Sequence, residues 1–249
     1  MKLGRRLKAL DKLIGNNYQH IWDCCCDHGY LGRALLERQQ VQYVHFVDCI
    51  DSITDRLRQQ LLDQDNRSNA NSLSSWQVHT MDVLDLPLDD YGQKAAHLII
   101  IAGVGGELTL AMVKHLWHQY SSLNIHFLLC PVHHQYELRS GLQMTSLTVL
   151  DELLVIENNR FYEIMLLATN SANGQPLTAV GSQLWQVRAN EQLSKAAQTS
   201  LMEQYLVKTI AHYQRSLNMH AKHSGEFSEI TAIIKQYRTV EYALANDRV

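Results

Sequence analysis

The stretch Ile21-Trp-Asp-Cys-Cys-Cys-Asp-His-Gly-Tyr-Leu-Gly32 decides the fold class of this 249-residue chain. It begins as an apolar strand and ends as the start of a helix, which is where an α/β protein carries a glycine-rich nucleotide loop. Cysteines and aspartates stand where such a loop would have glycines. The stretch is therefore a metal site, a degenerate nucleotide loop, or a loop specialised for a particular ligand.

The three adjacent cysteines, Cys24, Cys25 and Cys26, do not have the pattern of a metal site. Consecutive residues of a strand point to opposite faces, so these thiols cannot converge on one ion. No CxxC or His-x₃₋₅-His motif accompanies them in the sequence. We expect no bound metal, and we interpret the cysteines as small buried residues in a reduced compartment.

The composition is that of an ordinary globular protein. Apolar residues make up 46% of the chain and charged residues 19%, which excludes a disordered tail. No apolar run is long enough for a membrane span, and the N-terminus lacks the apolar core of a secretory signal. We therefore expect a cytoplasmic protein with no membrane association.

The net charge of −3 does not indicate a general nucleic-acid binder, but the N-terminus is locally basic. Asp11 is the one acidic residue among the first twelve, against the basic residues Lys2, Arg5, Arg6, Lys8 and Lys12. These cations form either the solvated face of a helix or an arm that contacts phosphates.

Strands and helices alternate along the first part of the chain. The apolar pattern predicts strands at 20–25, 44–47, 76–80, 97–102 and 127–130, and helices at 3–14, 31–38, 52–62, 107–120 and 135–143. A polar loop is expected at 63–75. The unbroken apolar run at 97–102 fits the centre of a parallel sheet.

The alternation then gives way to two adjacent strands, at 148–157 and 161–168. Only Asn158-Asn159-Arg160 separates them, which is too short for a crossover helix, so they must form an antiparallel hairpin. By fold analogy, class I S-adenosylmethionine methyltransferases append such a hairpin, whereas dehydrogenase-type Rossmann domains continue with helical crossovers. The hairpin therefore favours a methyltransferase.

The C-terminal part shows no strand pattern. After a loop at 171–181, helices are predicted at 183–221 and 226–244, with a break at 223–225. The predicted fold class is α/β: a Rossmann-like sheet of parallel strands with a final antiparallel hairpin, followed by a helical domain. We expect a cofactor-binding domain at 1–170 and a helical, coiled-coil-like hairpin at 182–249.

Carboxylates lie at the ends of the first three strands, where open parallel sheets bind ligands. Asp48 ends the second strand and suits the two hydroxyls of a ribose. Asp23 and Asp27 would repel a pyrophosphate, whereas S-adenosylmethionine has no phosphate and carries a sulfonium and an ammonium. Met81-Asp-Val83 is placed to bond the adenine amine. Gly103-Val-Gly-Gly106 would let cofactor and substrate approach the backbone.

Each of these residues has a simpler interpretation by itself. A single aspartate at a strand end is more often a helix cap. Three of them at consecutive strand ends, followed by glycines after the fourth strand, favour a methyltransferase cofactor site. His133-His134 is not a metal pair, because adjacent side chains splay apart.

Four motifs resemble those of bacterial tRNA adenine-N1 methyltransferases that modify position 22 in the D-arm, the TrmK family. They are Leu3-Gly-Arg-Arg6-Leu7, Asp23-Cys-Cys-Cys-Asp27-His28-Gly29-Tyr30-Leu31-Gly32, Ile101-Ala-Gly-Val-Gly-Gly106 and Tyr162-Glu163. Two positions depart from the family pattern. Cys25 replaces a glycine, and Cys130-Pro131-Val132 replaces Gln-Pro-Asn, so the chain resembles a divergent branch.

The resemblance implies S-adenosyl-L-methionine as cofactor and tRNA as partner, with a monomer or weak homodimer and no metal. Asp27 is the candidate catalytic residue, although a purely cofactor-binding role is an alternative. The candidate cofactor-binding residues are Arg6, Asp23, Cys25, His28, Tyr30, Asp48, Cys49, Asp82, Val83, Ala102, Gly103 and Val104. The candidate RNA-binding residues are Arg5, Arg6, Lys8 and Lys12.

Two rival functions stay open. One is a methyltransferase that acts on another RNA nucleoside or on a small molecule. The other is a non-catalytic module that keeps the fold to bind RNA or a partner. A nicotinamide oxidoreductase is disfavoured by the acidic loop and the terminal hairpin.

Overall fold

The computed structural model describes residues 3–38, 41–67, 75–169, 171, 173–189, 193–219 and 224–246, and all structural statements concern these. The chain divides into two compact units, Met1–Ala179 and Val180–Val249. Each unit is described by itself. Within the described ranges, none of the helices combines the length and apolarity needed to span a membrane.

The first unit is built on an eight-stranded sheet. Its strands are β1 (His20–Cys24), β2 (Tyr43–Asp48), β3 (Ser75–Thr80), β4 (Ala96–Ala102), β5 (Asn124–Cys130), β6 (Leu147–Glu157), β7 (Arg160–Thr169) and β8 (Gln175–Pro176). Their order is β3-β2-β1-β4-β5-β7-β6-β8. The pairs among β1 to β5 are parallel, and β7 joins β5 and β6 in antiparallel register. The predicted fold class is confirmed.

Five helices cover the two faces of this sheet. They are α1 (Arg5–Leu13), α2 (Tyr30–Glu37), α3 (Asp51–Arg67), α4 (Gly106–Gln119) and α5 (Gln135–Leu142). Buried side chains of α1, α2 and α3 belong to one core cluster, and those of α4 and α5 to the other. The central strand β4 serves both: Leu98 packs in one cluster and Ile99 in the other. Because both its faces are buried, β4 is apolar at every position except His97.

The β6–β7 hairpin turns through two residues with positive φ. Asn158 has φ 50° and Asn159 has φ 59°, and Glu157 pairs with Arg160 across the turn. This is the pattern of a type I′ turn, whose twist matches that of the flanking strands and for which asparagine is favoured. The predicted antiparallel hairpin is confirmed.

Two elements of the first unit differ from expectation. Helix α3 continues to Arg67, beyond the predicted end at residue 62, and the Gln59 amide bonds to Asp63 in the added turn (3.1 Å). Residues 68–74 of the predicted loop lie outside the described residues. The two-residue strand β8 was not predicted, since its pairing with Thr148 and Val149 is long-range.

The second unit contains α6 (Lys195–Met219) and α7 (Ser224–Asn246), which pack against each other. Tyr213 of α6 stacks on Tyr237 of α7, with ring centroids 6.0 Å apart. Helix α7 begins within the break predicted at 223–225, and His223 lies outside the described residues.

The prediction of a helix from residue 183 was wrong at its start. Gln183–Trp185 is a short 3₁₀ turn, and residues 186–189 are not helical. The Trp185 indole donates to the carbonyl oxygens of Val180 and Gly181, at 2.9 and 3.1 Å. Gln198 accepts from the Arg188 amide (2.9 Å) and donates to its carbonyl oxygen (2.8 Å). These side chains satisfy backbone groups that a helix would otherwise use.

Candidate active site

Asp23 anchors the first loop from within β1. Its Oδ2 accepts a hydrogen bond from the Gly32 amide (2.9 Å), and the carboxyl is buried. A Cβ on Gly32 would lie 2.3 Å from the Phe46 ring, so only glycine lets α2 approach β2 this closely. Burial raises the pKa of Asp23 to about 7, against the opposing effect of the Gly32 hydrogen bond.

The loop after β1 has left-handed backbone at two non-glycine positions. Cys25 has φ 55° and Asp27 has φ 47°. Cys25 packs against the same core cluster as Cys24, whereas Cys26 packs against the other, so the three thiols diverge. Burial, followed by the nearby Asp48 carboxylate, raises the pKa of Cys25 to about 11. The thiol is therefore protonated near neutral pH.

Asp48 connects this loop to the end of β2. Its Oδ2 accepts from the Asp27 amide (3.4 Å) and its Oδ1 from the Ile50 amide (3.1 Å). The Met81 amide in turn donates to the Asp48 carbonyl oxygen (3.0 Å), which ties the end of β3 to the end of β2. The predicted ribose position thus lies where two loops meet.

Asp82 caps a short helical turn. Its Oδ1 accepts from the Leu84 amide (2.9 Å) at the start of the 3₁₀ turn Val83–Asp85. The capping interpretation therefore holds for Asp82, and its side chain is exposed while Val83 is buried.

The glycines after β4 have different uses. Gly103 has φ 94° and an exposed backbone, which suits close approach of a ligand. A Cβ on Gly105 would lie 2.3 Å from the His133 ring, and one on Gly106 would lie 2.2 Å from the His134 carbonyl oxygen. Gly105 and Gly106 therefore let the loop after β4 pack on the loop after β5.

Helix α1 brings Arg6 to the same edge of the sheet. The Arg6 amide donates to Glu157 Oε1 (3.2 Å), and its guanidinium lies 5.1 Å from the centre of the Tyr162 ring. Its Nη1 is 3.8 Å from where a Cβ on Gly103 would be. Tyr162 belongs to the Tyr162-Glu163 motif but was not predicted as a site residue. Its ring contacts the candidate site residue Arg6.

The sequence model of the family described as "Methyltransferase domain" matches residues 3–165. The chain belongs to this methyltransferase family. Among solved structures, M. capricolum TrmK in complex with S-adenosyl-homocysteine is 18% identical, with 97% of this chain and 99% of that chain covered and a TM-score of 0.72. The B. subtilis m1A22 tRNA methyltransferase TrmK is 18% identical, with 96% and 98% covered and a TM-score of 0.69.

A third structure, Sp1610 of Streptococcus pneumoniae in complex with S-adenosyl-L-methionine, is 19% identical, with 94% and 100% covered and a TM-score of 0.65. Because the sequence identities are this low, the structural likeness shows the fold alone. It confirms the resemblance to the TrmK family at the level of the fold. No curated protein sequence matches the chain.

Three of the four predicted acidic residues of the methyltransferase domain, Asp23, Asp48 and Asp82, lie near Cys25. That thiol lies within electrostatic range of Asp48, Cys49, Asp23 and Asp82. Among the described residues, no group of three or more His, Cys, Asp or Glu side chains could hold a metal ion.

The candidate catalytic residue, Asp27, lines a small cleft between the loop after β1 and α3. The Asp27 side chain is 66% exposed, and its Oδ2 is 3.8 Å from Nε2 of His28. The rings of His28 and Tyr30 are 5.2 Å apart. The candidate RNA-binding residues Arg5, Lys8 and Lys12 are exposed on α1 of the same domain, away from its buried Leu10.

Proposed function

We propose that this methyltransferase transfers the methyl group of S-adenosylmethionine to N1 of an adenine in tRNA, at position 22 by family resemblance. The observation that carries the proposal is the set of carboxylates around the Cys25 loop, because they suit a cationic cofactor. The S-adenosyl-homocysteine bound to M. capricolum TrmK supports this cofactor, and the tRNA specificity of the B. subtilis m1A22 methyltransferase supports this substrate. Action on tRNA would place the protein in the cytoplasm.

The residues present fit this cofactor. Each oxygen of Asp48 accepts one backbone amide and has a further lone pair for a ribose hydroxyl. Asp23, with its pKa of about 7, would be held ionised by a neighbouring cation. We further propose that Arg6, His28, Tyr30, Cys49, Val83, Ala102, Gly103 and Val104 line the cofactor site. When bound, the cofactor supplies the electrophilic methyl group.

Catalysis would consist chiefly of orientation. Adenine N1 has an in-plane lone pair and needs no strong base before it attacks the methyl group. The protein must align this lone pair with the methyl group and exclude water. The product ring is cationic, so a carboxylate beside it would stabilise the transition state. We assign this role to Asp27, whose backbone amide is fixed by Asp48.

The substrate adenine must leave its stack to reach this site. The exposed residues Arg5, Lys8 and Lys12 of α1 would hold the RNA through its phosphates. That the protein is a monomer or a weak homodimer stays a prediction.

One observation favours a different nucleoside as substrate. The family's Gln-Pro-Asn is replaced by Cys130-Pro131-Val132; Cys130 is fully buried and Val132 is 39% exposed. Val132 offers no side-chain hydrogen bond to a base. The alternative is therefore the same methyl transfer to another RNA position.

The test combines transfer with product mapping. Purified protein and labelled S-adenosylmethionine are incubated with unmodified tRNA, and the modified nucleoside is identified by mass spectrometry. We expect 1-methyladenosine in the D-arm. If a small molecule takes up the labelled methyl group and the tRNA does not, the RNA assignment is overturned. If the tRNA carries a different modified nucleoside, the alternative is established.

Asp27→Ala tests the catalytic assignment. We expect at least a hundredfold loss of turnover with the Kd for tRNA within threefold of wild type, because the carboxylate stabilises charge in the transition state. Asp90→Ala, an exposed aspartate in the 3₁₀ turn Leu88–Tyr91 before β4, is the matched control. Equal turnover of the two variants would remove Asp27 from the mechanism.

A further inference from the structure

The β6–β7 hairpin projects beyond the parallel strands. Strand β5 pairs with β7 only as far as Leu129 opposite Met165, so residues 160–164 pair with β6 alone. At about 3.4 Å per residue, the hairpin extends roughly 15 Å past this pairing. It does so at the carboxyl edge of the sheet, where Asp23 and Gly103 lie.

The tip of this hairpin presents an arginine in a fixed position. Arg160 follows the type I′ turn directly and is exposed. The residue opposite it, Glu157, directs Oε1 to the Arg6 amide (3.2 Å). Cross-strand pairing and contact with α1 therefore hold the tip, and they fix the backbone of Arg160.

The same Glu157 places the basic helix beside the tip. Gly4, the N-cap of α1, has no side chain to cap the helix, and a Cβ there would lie 2.4 Å from Glu157 Oε1. The carboxylate of the hairpin thus caps α1 in place of a local side chain, which also suits the helix dipole. Arg5 then lies at the end of α1 next to the tip.

Three cations of α1 form one exposed stripe, and the helix end that carries Arg5 contacts Glu157, which pairs with Arg160. Arg5, Lys8 and Lys12 are separated by three and four residues, so they share one helix face, and all are exposed. Asp11, the acidic residue of α1, is engaged by Arg38. A group of exposed cations on α1 and at the hairpin tip, on a chain of net charge −3, points to a polyanion as partner.

We infer that the hairpin tip is a second arm of the RNA-binding surface, and that Arg160 binds a backbone phosphate beside the substrate nucleotide. The inference rests on the proposed function. Arginine matches a phosphate in a bidentate manner, and phosphate contacts fix position rather than sequence. The tip and the α1 stripe would hold the strand on two sides of the nucleotide that enters the site.

The experiment measures RNA affinity directly. Arg160→Glu is compared with Lys94→Glu, an equal charge change at an exposed residue before β4, at the opposite edge of the sheet. We expect Arg160→Glu to raise the Kd for unmodified tRNA at least tenfold and to leave the Kd for S-adenosyl-homocysteine unchanged. The slope of log Kd against log salt should become shallower by about 0.7 to 0.9, the value of one lost phosphate contact.

Arg160→Lys is expected to keep most of the affinity, because it preserves the charge. Equal tRNA affinity of Arg160→Glu and Lys94→Glu would overturn the inference, even if wild type methylates tRNA. If wild type transfers no methyl group but Arg160→Glu still loses RNA affinity, the proposed function fails, whereas RNA binding by Arg160 is supported.

Discussion

Asp23 is a buried carboxylic acid, and the proposed cofactor site needs it in its charged form. The pKa of Asp23 is raised from 3.8 to about 7 by burial, so the unfolded chain releases this proton at lower pH than the folded chain. The folded state therefore loses stability as pH rises from about 4 to 7. The shift corresponds to roughly 4 kcal/mol as an upper figure.

Replacing Asp23 by asparagine removes the loss of stability that accompanies ionisation of this buried carboxyl. Asparagine keeps an oxygen for the Gly32 amide, so we expect Asp23→Asn to raise the free energy of unfolding at pH 8 by about 2 kcal/mol or more and to change it little at pH 4. Affinity for S-adenosyl-homocysteine should fall. Urea unfolding at both pH values, with calorimetry, checks this; an equal stability change at pH 4 and pH 8 would refute the titration argument.

Cys25 occupies a backbone conformation that favours glycine. A non-glycine residue at φ 55° costs on the order of 1 kcal/mol. In the proposed site, the Cys25 side chain would also narrow the approach of the cofactor. We expect Cys25→Gly to tighten S-adenosyl-homocysteine binding several-fold. Asn159→Gly, which relieves another left-handed residue at φ 59° in the hairpin turn, should leave that affinity unchanged. Weaker binding by Cys25→Gly would show that the thiol supports the cofactor.

At the scale of elements, a buried ion cluster joins α5 to the hairpin. The Arg139 Nε donates to Glu163 of β7 (2.6 Å), and its Nη1 donates to Glu152 of β6. All three side chains are fully buried. The two carboxylates raise the pKa of Arg139 further above its usual range, despite burial.

Loss of Arg139 would leave two carboxylates buried without their shared cation. We expect Arg139→Met to lower the free energy of unfolding by about 3 to 5 kcal/mol. Arg58→Met, which breaks the exposed pair with Asp55, should cost less than about 1 kcal/mol. Chemical denaturation measures both.

Replacing Glu152 and Glu163 by leucine in the Arg139→Met background should restore much of the loss, because the uncompensated charges are then gone. Equal destabilisation by Arg139→Met and Arg58→Met would contradict this account of the cluster.

Local sequence patterns predicted most of the helices and strands. The features that they did not predict depend on long-range contacts. The apolar run of β4 and the short polar gap Asn158-Asn159-Arg160 between the predicted hairpin strands carry their own signals. The turn at Gln183–Trp185 does not, because Gln198 and the Trp185 indole compete with the helix. The aspartates proposed for the site were predicted from their places at strand ends. The contact of Arg6 with Tyr162 depends on how α1 packs, which no local pattern encodes.

At the scale of the whole molecule, a network of four buried histidines and Trp22 lies on four neighbouring strands, and hydrogen bonds between rings link three of the histidines. His45 bonds to His20 (3.0 Å) and to His79 (3.1 Å), and the Trp22 indole donates to His97 (3.2 Å). Burial lowers the pKa of all four histidines, to about 3 for His45 and about 4 for His97. Each neutral ring has one donor and one acceptor, which is what a chain of ring-to-ring hydrogen bonds requires.

The low pKa values of these histidines make the folded state less stable in acid. Below pH 6.5 the unfolded chain protonates His45 and His97 while the folded chain does not, so each lowers stability by about 1.4 kcal/mol per pH unit as pH falls towards 4. Asp23 opposes them with one such contribution over the same window, since its folded pKa is raised to about 7. We therefore expect the free energy of unfolding to fall between pH 6.5 and 4 by at least about 1.4 kcal/mol per pH unit. The fall should be steeper in Asp23→Asn, where the opposing group is absent. Urea unfolding at half-unit pH steps measures both slopes, and a flat profile below pH 6.5 in both proteins would mean that the histidines are already protonated in the folded state.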